Sequence, residues 1–483
     1  MKFDKKMYIA GELVDGQGTV EVVNPATDDR VATVPTAGMA DADRALAAAR
    51  DAFASWSSTS IAERQGWMLK LRQAVIDNEE HLRECIHYEM GKPWAGTQED
   101  VDSLKNSLQF YAEEIARVHD TSIADRAGTH THRLVHESAG VALAFLAWNF
   151  PLLNLAFKIG PAMAAGCPII IRPSEATPIS AYAVGELCQQ IGLPAGVVQI
   201  LSTDGYDVAD HLSASAIPSL ITLIGSTRTG KHIMRTGATT IKRYSMELGG
   251  NAPVLIFEDA DLDLAADIVC GVKFSNAGQI CVSPNRVFVH RTVLEQFTRR
   301  AVERAAAAGV GWDRDADILT GPVIDGRAWQ RLKALVDDAV SKGAELLAGG
   351  NRPEALAQNL AKGHFMAPTV LANVTETMDV YQQENFGPIV SIVAFDDSTD
   401  LNTMANDCDE GGLTAYVFTR NLARAEQWAS QLRYGEVQIN GVKYAIDLPH
   451  GGIGQSGIGH DCSRLALNDY LVIKRITRAL DAA

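Results

Sequence analysis

Apolar residues in the first hundred positions recur three and four apart, with charges between them. The segments DADRALAAARDAFASW, from Asp41, and IAERQGWMLKLRQAVIDNEEHLRECIHYEM, from Ile61, carry this period, which predicts amphipathic helix between Asp41 and Phe110. Gly91 and Pro93 stop the second segment. THTHRLVHES, ending at Ser138, alternates polar and apolar residues as an exposed strand does. From Val141 the pattern becomes short apolar runs separated by helical segments. VALAFLAW, PIIIRP, VVQIL and LITLIG read as buried strands, and PLLNLAFKIGPAMAAG, ISAYAVGELCQQIG and TRTGKHIMRTG as helices. A second series starts near Asn251 with PVLIF, the helix DLDLAADIVCGVKFSNAG, RVFVH and the helix TVLEQFTRRAVERAAA, and runs to about Gln438. Strands alternating with helices predict parallel sheets of doubly wound type, so the expected fold class is α/β with two such domains. DYLVIKRITRAL, near the end, reads as one more strand.

The chain has 483 residues, 47% hydrophobic and 21% charged, with a net charge of −16. This composition excludes disordered, collagenous and disulfide-scaffold classes. The acidic balance, without a concentrated basic patch, argues against a nucleic-acid partner, because phosphates would be repelled. The most apolar stretch, Val141 to Ile171, is interrupted by Asn149, Pro151, Asn154, Lys158 and Pro161. It falls short of the ~20 uninterrupted apolar residues of a membrane span. Seven scattered cysteines without a CxxC pair argue for reduced thiols and against zinc. The start, MKFDKKMYIAGELVDG, has no leader-like apolar segment, so the expectation is a cytoplasmic protein with no membrane partner.

Three motifs invite chemistry. Gly225 to Lys231 (GSTRTGK) approaches a phosphate-gripping P-loop, but His232 stands where magnesium binding needs Ser or Thr, which argues against an NTPase. A strand, a glycine turn and a helix N-terminus still suit a pyrophosphate. His130, His132 and His136 share a strand face, yet their neighbours supply no further ligand, and a solvated face is the simpler reading. Glu247, beside Gly249 and Gly250 and before a buried strand, and Cys281, after a glycine-containing turn, form a carboxylate and thiol pair suited to covalent catalysis.

Taken together, these segments resemble the aldehyde dehydrogenase superfamily, of the non-phosphorylating NAD(P)-dependent type. The matching stretches are Trp148–Pro151 (WNFP), Arg172–Glu175 (RPSE), Gly225–Thr227 (GST), Glu247–Asn251 (ELGGN), Gly278–Cys281 (GQIC), Glu384–Pro388 (ENFGP) and Gly451 to Gly457. The resemblance covers the chain from Tyr8 to the C-terminal strand. It implies two Rossmann-like domains and a small β bridging element: an NAD(P)-binding domain of 1–117 and 139–249, a catalytic domain of 250–452, and bridging segments 118–138 and 468–483. It implies Cys281 as nucleophile, Glu247 as general base and Asn149 as oxyanion donor, with a cysteine thiohemiacetal and thioester on the path to the acid. Leu146, Trp148, Arg172, Ser174, Glu175, Gly225, Ser226, Leu248, Glu384 and Phe386 match cofactor-binding positions. A carboxylate at Glu175 favours NAD over NADP, whereas Arg172, where lysine is usual, leaves NADP use open. A homodimer or homotetramer paired through the bridging strands, and no metal, are also implied.

The same resemblance places Phe150, Asn154, Phe157, Ile280, Val282, Tyr444 and His450 along the aldehyde tunnel. Asn154 and His450 depart from commoner apolar residues and put hydrogen-bonding groups there, which implies a small polar, possibly acidic aldehyde. The chain is similar in style to succinate-semialdehyde dehydrogenases. Yet the arginines some of them use against a carboxylate fall at Phe157 and Ser275, and Ser283 replaces a second cysteine. A succinate-semialdehyde dehydrogenase proper is one alternative. A CoA-acylating member would dispense with Glu247, and a catalytically silent one would lose Cys281 or Glu247; both residues are present.

Overall fold

The computed structural model of the chain describes residues 3–314, 317–408 and 411–480. Residues 1–2 of the expected first domain, 315–316 and 409–410 of the second, and 481–483 of the bridging segment lie outside them.

The strands Val141–Phe145, Ile169–Arg172, Val198–Ile200, Pro218–Ile224 and Arg243–Glu247 form the parallel centre of an eight-stranded sheet. Their residues are almost all buried because helices cover both faces, which is why they read as continuous apolar runs. Among the flanking helices are Met39–Ser57, Thr97–Glu114, Pro151–Ala165 and Ile179–Gln190. The edges are antiparallel. On one side Met7–Ile9 pairs through Tyr8 and Ile200 and turns into Glu12–Val14. On the other, Gly457–Ile458 pairs with Met246 and Glu247.

A second sheet of seven strands runs Glu345–Ala348, Thr369–Ala372, Ile389–Phe395, Arg286–His290, Pro253–Ile256, Thr414–Phe418 and Glu436–Ile439. Only the first of these is antiparallel to its neighbour. Each face carries its own apolar cluster, one around Leu255, Phe288 and Leu332, the other around Ile256, Phe274 and Phe297. A third sheet pairs Leu471–Ala479 with His130–Ser138 over nine residue pairs, and Thr121–Ala124 completes it.

The periodicity and the structure part in a few places. The expected helix through Ile61 to Met90 breaks at Asn78, between Ile61–Asp77 and Glu79–Met90. The helix through 261–278 ends at Phe274, because Asn276 and Ala277 take left-handed φ values of 50° and 53°. Glu247 precedes the buried strand Pro253–Ile256, as expected, and also closes a strand of its own, Arg243–Glu247. The short helix Asp207–Ala214 and the hairpin Gly18–Val23 with Arg30–Thr36 carry patterns too brief to stand out in the sequence.

Candidate active site

The strand Val141–Phe145 runs out into Trp148, Asn149 and Phe150 before the helix Pro151–Ala165. Pro151 at the first turn needs no hydrogen bond, and the next two N–H groups, of Leu152 and Leu153, donate to Asp100 Oδ1 at 3.1 Å each. Asp100 is itself buried and paired with Lys92 at 2.6 Å. The Lys92 ammonium sits 3.5 Å from the centre of the Phe150 ring. This cluster holds the turn that presents Asn149.

Cys281 is delivered by backbone of the opposite hand. Asn276, Ala277 and Gly278 all have positive φ, and a Cβ at Gly278 would lie 2.1 Å from the Gly387 carbonyl oxygen, so glycine is required there. Side chains hold the unusual turn. Asn276 Nδ2 donates to the Asn149 carbonyl at 3.0 Å, and Gln279 Nε2 donates to the Asn276 carbonyl at 3.0 Å. Gln279 Oε1 accepts from Ile324 N at 2.8 Å. Asn149 Nδ2 donates to the Gln279 carbonyl at 3.0 Å, which brings the side chain against the cysteine turn.

Glu247 is 4% exposed and its Oε1 has no hydrogen-bond partner. Its backbone is clamped by Gly457, where a Cβ would strike Met246 O at 2.3 Å, and Leu248 N donates to Ser456 O at 3.0 Å. His450 lies opposite. Its backbone exchanges two hydrogen bonds with Asp461, whose carboxylate is buried against Lys158 at 2.6 Å. Its ring Nδ1 pairs with Glu436 Oε1 at 2.7 Å, and Nε2 stands 3.6 Å from Glu247 Oε1. Donor atoms of Glu247, Cys281 and His450 all fall within 4.8 Å of one another, the one such group of three or more among the described residues. His130, His132 and His136 do not form one; His132 pairs with Thr477 and Asp125 instead. Burial and the Glu247 charge push the Cys281 thiol up, while His450 pulls against them. Burial presses the His450 imidazole down, but contacts with Cys281, Glu247 and Glu436 win and raise it well above its ordinary value.

These groups line a cavity of about 1000 Å³. All seven expected tunnel residues, Phe150, Asn154, Phe157, Ile280, Val282, Tyr444 and His450, line it, as do Trp148, Gly225, Ser226, Leu248, Glu384 and Phe386. Leu146, Arg172, Ser174 and Glu175 do not; they lie at or just beyond the carboxyl ends of adjacent parallel strands, where dinucleotides bind in open α/β sheets. The cavity also takes in Glu436 and Lys443, which sequence reasoning missed. No motif marks them: Glu436 opens the strand Glu436–Ile439 and meets His450 across the loop that follows that strand. Asn154 and His450 have their polar atoms turned to the protein: Asn154 Nδ2 donates to Ala147 O at 3.0 Å and lies 3.4 Å from Asn149 Oδ1.

The residues fit a nicotinamide dinucleotide. Ser226 caps the helix Thr227–Gly237 by accepting from Thr229 N at 3.2 Å, leaving an N-terminus that opens on the cavity for phosphate oxygens. A Cβ at Gly249 would meet Glu384 Oε2 at 2.7 Å, so glycine lets that carboxylate stand at the cavity edge. The sequence profile of the aldehyde dehydrogenase family matches residues 13–476. The chain belongs to this family.

This aldehyde dehydrogenase is 35% identical over 475 residues to the glutarate-semialdehyde dehydrogenase of Pseudomonas putida, covering 98% of this chain and 97% of that one. It is 36% identical over 463 residues to a 3-sulfolactaldehyde dehydrogenase of Pseudomonas putida, covering 96% and 94%. A crystal structure of Staphylococcus aureus betaine aldehyde dehydrogenase in complex with NAD+ superposes with a TM-score of 0.94 at 31% identity, covering 99% and 96%. The enzyme uses a nicotinamide cofactor to oxidise small aldehydes. Among the described residues, no helix is long and apolar enough to cross a membrane.

Proposed function

We propose that this enzyme oxidises a short aldehyde with an anionic tail to the carboxylic acid, using NAD in preference to NADP. The observation that carries the chemistry is the convergence of Cys281, Glu247 and His450 within 4.8 Å at the cavity floor. The Cys281 thiolate attacks the aldehyde carbon, forming the C–S bond. An amide carries two donors, and Asn149 spends one on Gln279 O, so its second N–H serves the oxyanion. When bound, the nicotinamide supplies the two-electron acceptor for this conversion. Glu247, whose Oε1 accepts no hydrogen bond, takes a proton from the water that hydrolyses the Cys281 thioester. The acid leaves and the thiolate is restored.

The tail preference rests on how the cavity's charges are spent. Asp102 is tied to Lys105 at 2.7 Å and Glu436 to His450 at 2.7 Å, while burial pushes the Glu99 carboxyl up. Among the described residues that line the cavity, exposed Lys443 is the lysine or arginine left for a carboxylate or sulfonate. His450 and Asn154 then face the carbonyl end of the substrate. Relatives named for glutarate semialdehyde and 3-sulfolactaldehyde support the same class. NAD preference is supported by Glu175, which holds the Arg172 guanidinium at 2.8 Å while Thr203 holds its other face. The domain division into 1–117 with 139–249, 250–452 and the two bridging segments belongs to this proposal, as do cytoplasmic location and homodimeric or homotetrameric assembly. Seven free cysteines support a reducing compartment, and the third sheet supplies an edge for pairing.

The test is a panel of succinate semialdehyde, glutarate semialdehyde, a sulfonated three-carbon aldehyde, betaine aldehyde and a long aliphatic aldehyde. The acidic members should lead in kcat/KM. Lys443→Glu should lower their kcat/KM relative to a neutral aldehyde by about tenfold, the worth of one ionic contact of ~1.4 kcal/mol. Betaine aldehyde as the best substrate overturns the tail assignment.

A further inference from the structure

The side chain of His450 is a buried imidazole with one nitrogen anchored and the other turned to the nucleophile. Nδ1 pairs with Glu436 Oε1 at 2.7 Å, so it carries the proton of that hydrogen bond and leaves Nε2 to face Glu247 Oε1 at 3.6 Å and the Cys281 thiol. Glu436 is in turn held by Thr414 Oγ1 at 3.1 Å. The backbone of His450 is pinned by Asp461, and the ring packs beside Phe157 and Tyr444 at centroid distances of 6.1 and 6.0 Å. This is the arrangement of a base oriented by a carboxylate toward a thiol, a nucleophile, base and orienter in contact. An imidazole serving only as a wall would need neither the half-buried Glu436 on one nitrogen nor a second nitrogen turned to Cys281 and Glu247.

We propose that His450, oriented by Glu436, takes the Cys281 proton, making Cys281 a thiolate before cofactor or aldehyde binds. It does so against the burial and the Glu247 charge that hold the thiol up. The Cys281 S–H bond breaks, the proton joins His450 Nε2, and a thiolate–imidazolium pair results, with no other reactant consumed. His450 is thus a catalytic residue and Glu436 a positioning residue. The charged and titratable groups around the ring are Glu247 on its strand, Cys281 on its turn, Glu436 on the neighbouring sheet, Asp461 with Lys158 behind the backbone, and Cys462, Tyr444 and Tyr416 nearby. Of these, Glu247, Glu436 and the thiolate favour the imidazolium. Burial opposes it, and Lys158 is spent on Asp461.

The inference rests on Cys281 as nucleophile, and the experiment separates the two. Iodoacetamide alkylation of Cys281 in ligand-free enzyme is followed from pH 5 to 10, with the labelled cysteine located by peptide mapping. The wild-type rate should already be on its plateau at neutral pH, with an inflection below the ~8.5 of a free thiol. In His450→Phe the inflection should rise by at least one unit, slowing alkylation at pH 7 about tenfold, and added imidazole should restore part of the rate. Glu436→Gln, which keeps the size of the side chain, should move the inflection by a smaller step in the same direction. An inflection unmoved in His450→Phe overturns the proton transfer. If that variant does not fold, an unmoved inflection in Glu436→Gln overturns it. Alkylation of Cys281 that leaves turnover intact overturns the nucleophile assignment instead.

Discussion

Glu175 accepts from Arg172 at 2.8 Å, and the same guanidinium donates through Nε to Thr203 Oγ1 at 3.1 Å. Removing the carboxylate's charge releases a fixed cation at the position expected to meet the adenosine ribose. Glu175→Gln is therefore expected to raise the NADP to NAD ratio of kcat/KM by about tenfold or more, one ionic contact at ~1.4 kcal/mol. Parallel titrations with the two cofactors check it, and an unchanged ratio removes Glu175 as the discriminating group. At the nucleophile, Cys281→Ala should abolish oxidation while NAD still binds, as read by quenching of Trp148, which lies against Phe386 on the cavity wall. Asn149→Ala should lower kcat by roughly 10²-fold, the effect of losing one oxyanion donor. A rise in KM alone, with kcat kept, would argue that Asn149 only shapes the turn.

The helices that present these residues are held by buried carboxylates at their N-termini. Asp100 satisfies two N–H groups of the helix Pro151–Ala165 and pairs with Lys92, both side chains being almost fully buried. Asp100→Ala leaves a buried, unpartnered ammonium and an uncapped helix. The expected cost is about 3–5 kcal/mol in urea unfolding, with activity lost in step because Asn149 lies at the same turn. Glu89 serves the helix Ile179–Gln190 in the same way, accepting from Ile179 N at 2.5 Å and Ser180 N at 3.1 Å. Burial pushes its carboxyl up to about 8, against the opposing pull of those N–H donors. A folded-state value above the unfolded one means that the fold binds the extra proton. The contribution is complete below the unfolded value of 4.5 and is lost as pH rises through 8. Unfolding midpoints should therefore fall between pH 4.5 and 8 in the wild type and fall less in Glu89→Gln.

At the scale of the whole molecule, two sheets meet along the cavity, and the third offers an open edge. The strand Leu471–Ala479 is paired on one side only and exposes Ile473 at 64% and Ile476 at 42%. An exposed apolar edge strand is a template for pairing with another chain. Ile473→Lys with Ile476→Lys is expected to lower the subunit number seen by light scattering at micromolar concentration. An unaltered mass would place the contact elsewhere.

Local pattern alone decided a large part of this protein. The period of two or of 3.6 placed the apolar strands and the long helices, because a buried face must repeat with the backbone that carries it. The short motifs around Asn149, Glu247 and Cys281 carried the resemblance that proposes them as the reacting groups, and the backbones beside them tolerate few other residues: Gly278 and Gly457 each face a carbonyl too close for a Cβ. Sequence spacing could not reveal what stands across from what. Glu436 comes to His450 across the loop after its strand, and Asp461 reaches Lys158 across the fold. The Asn78 break and the left-handed turn at Asn276 were likewise settled by packing around them, since neither residue type compels that conformation. Position along the chain determined which chemistry is present; the tertiary fold decided which groups share a proton, because only folding brings them within hydrogen-bond distance and away from water.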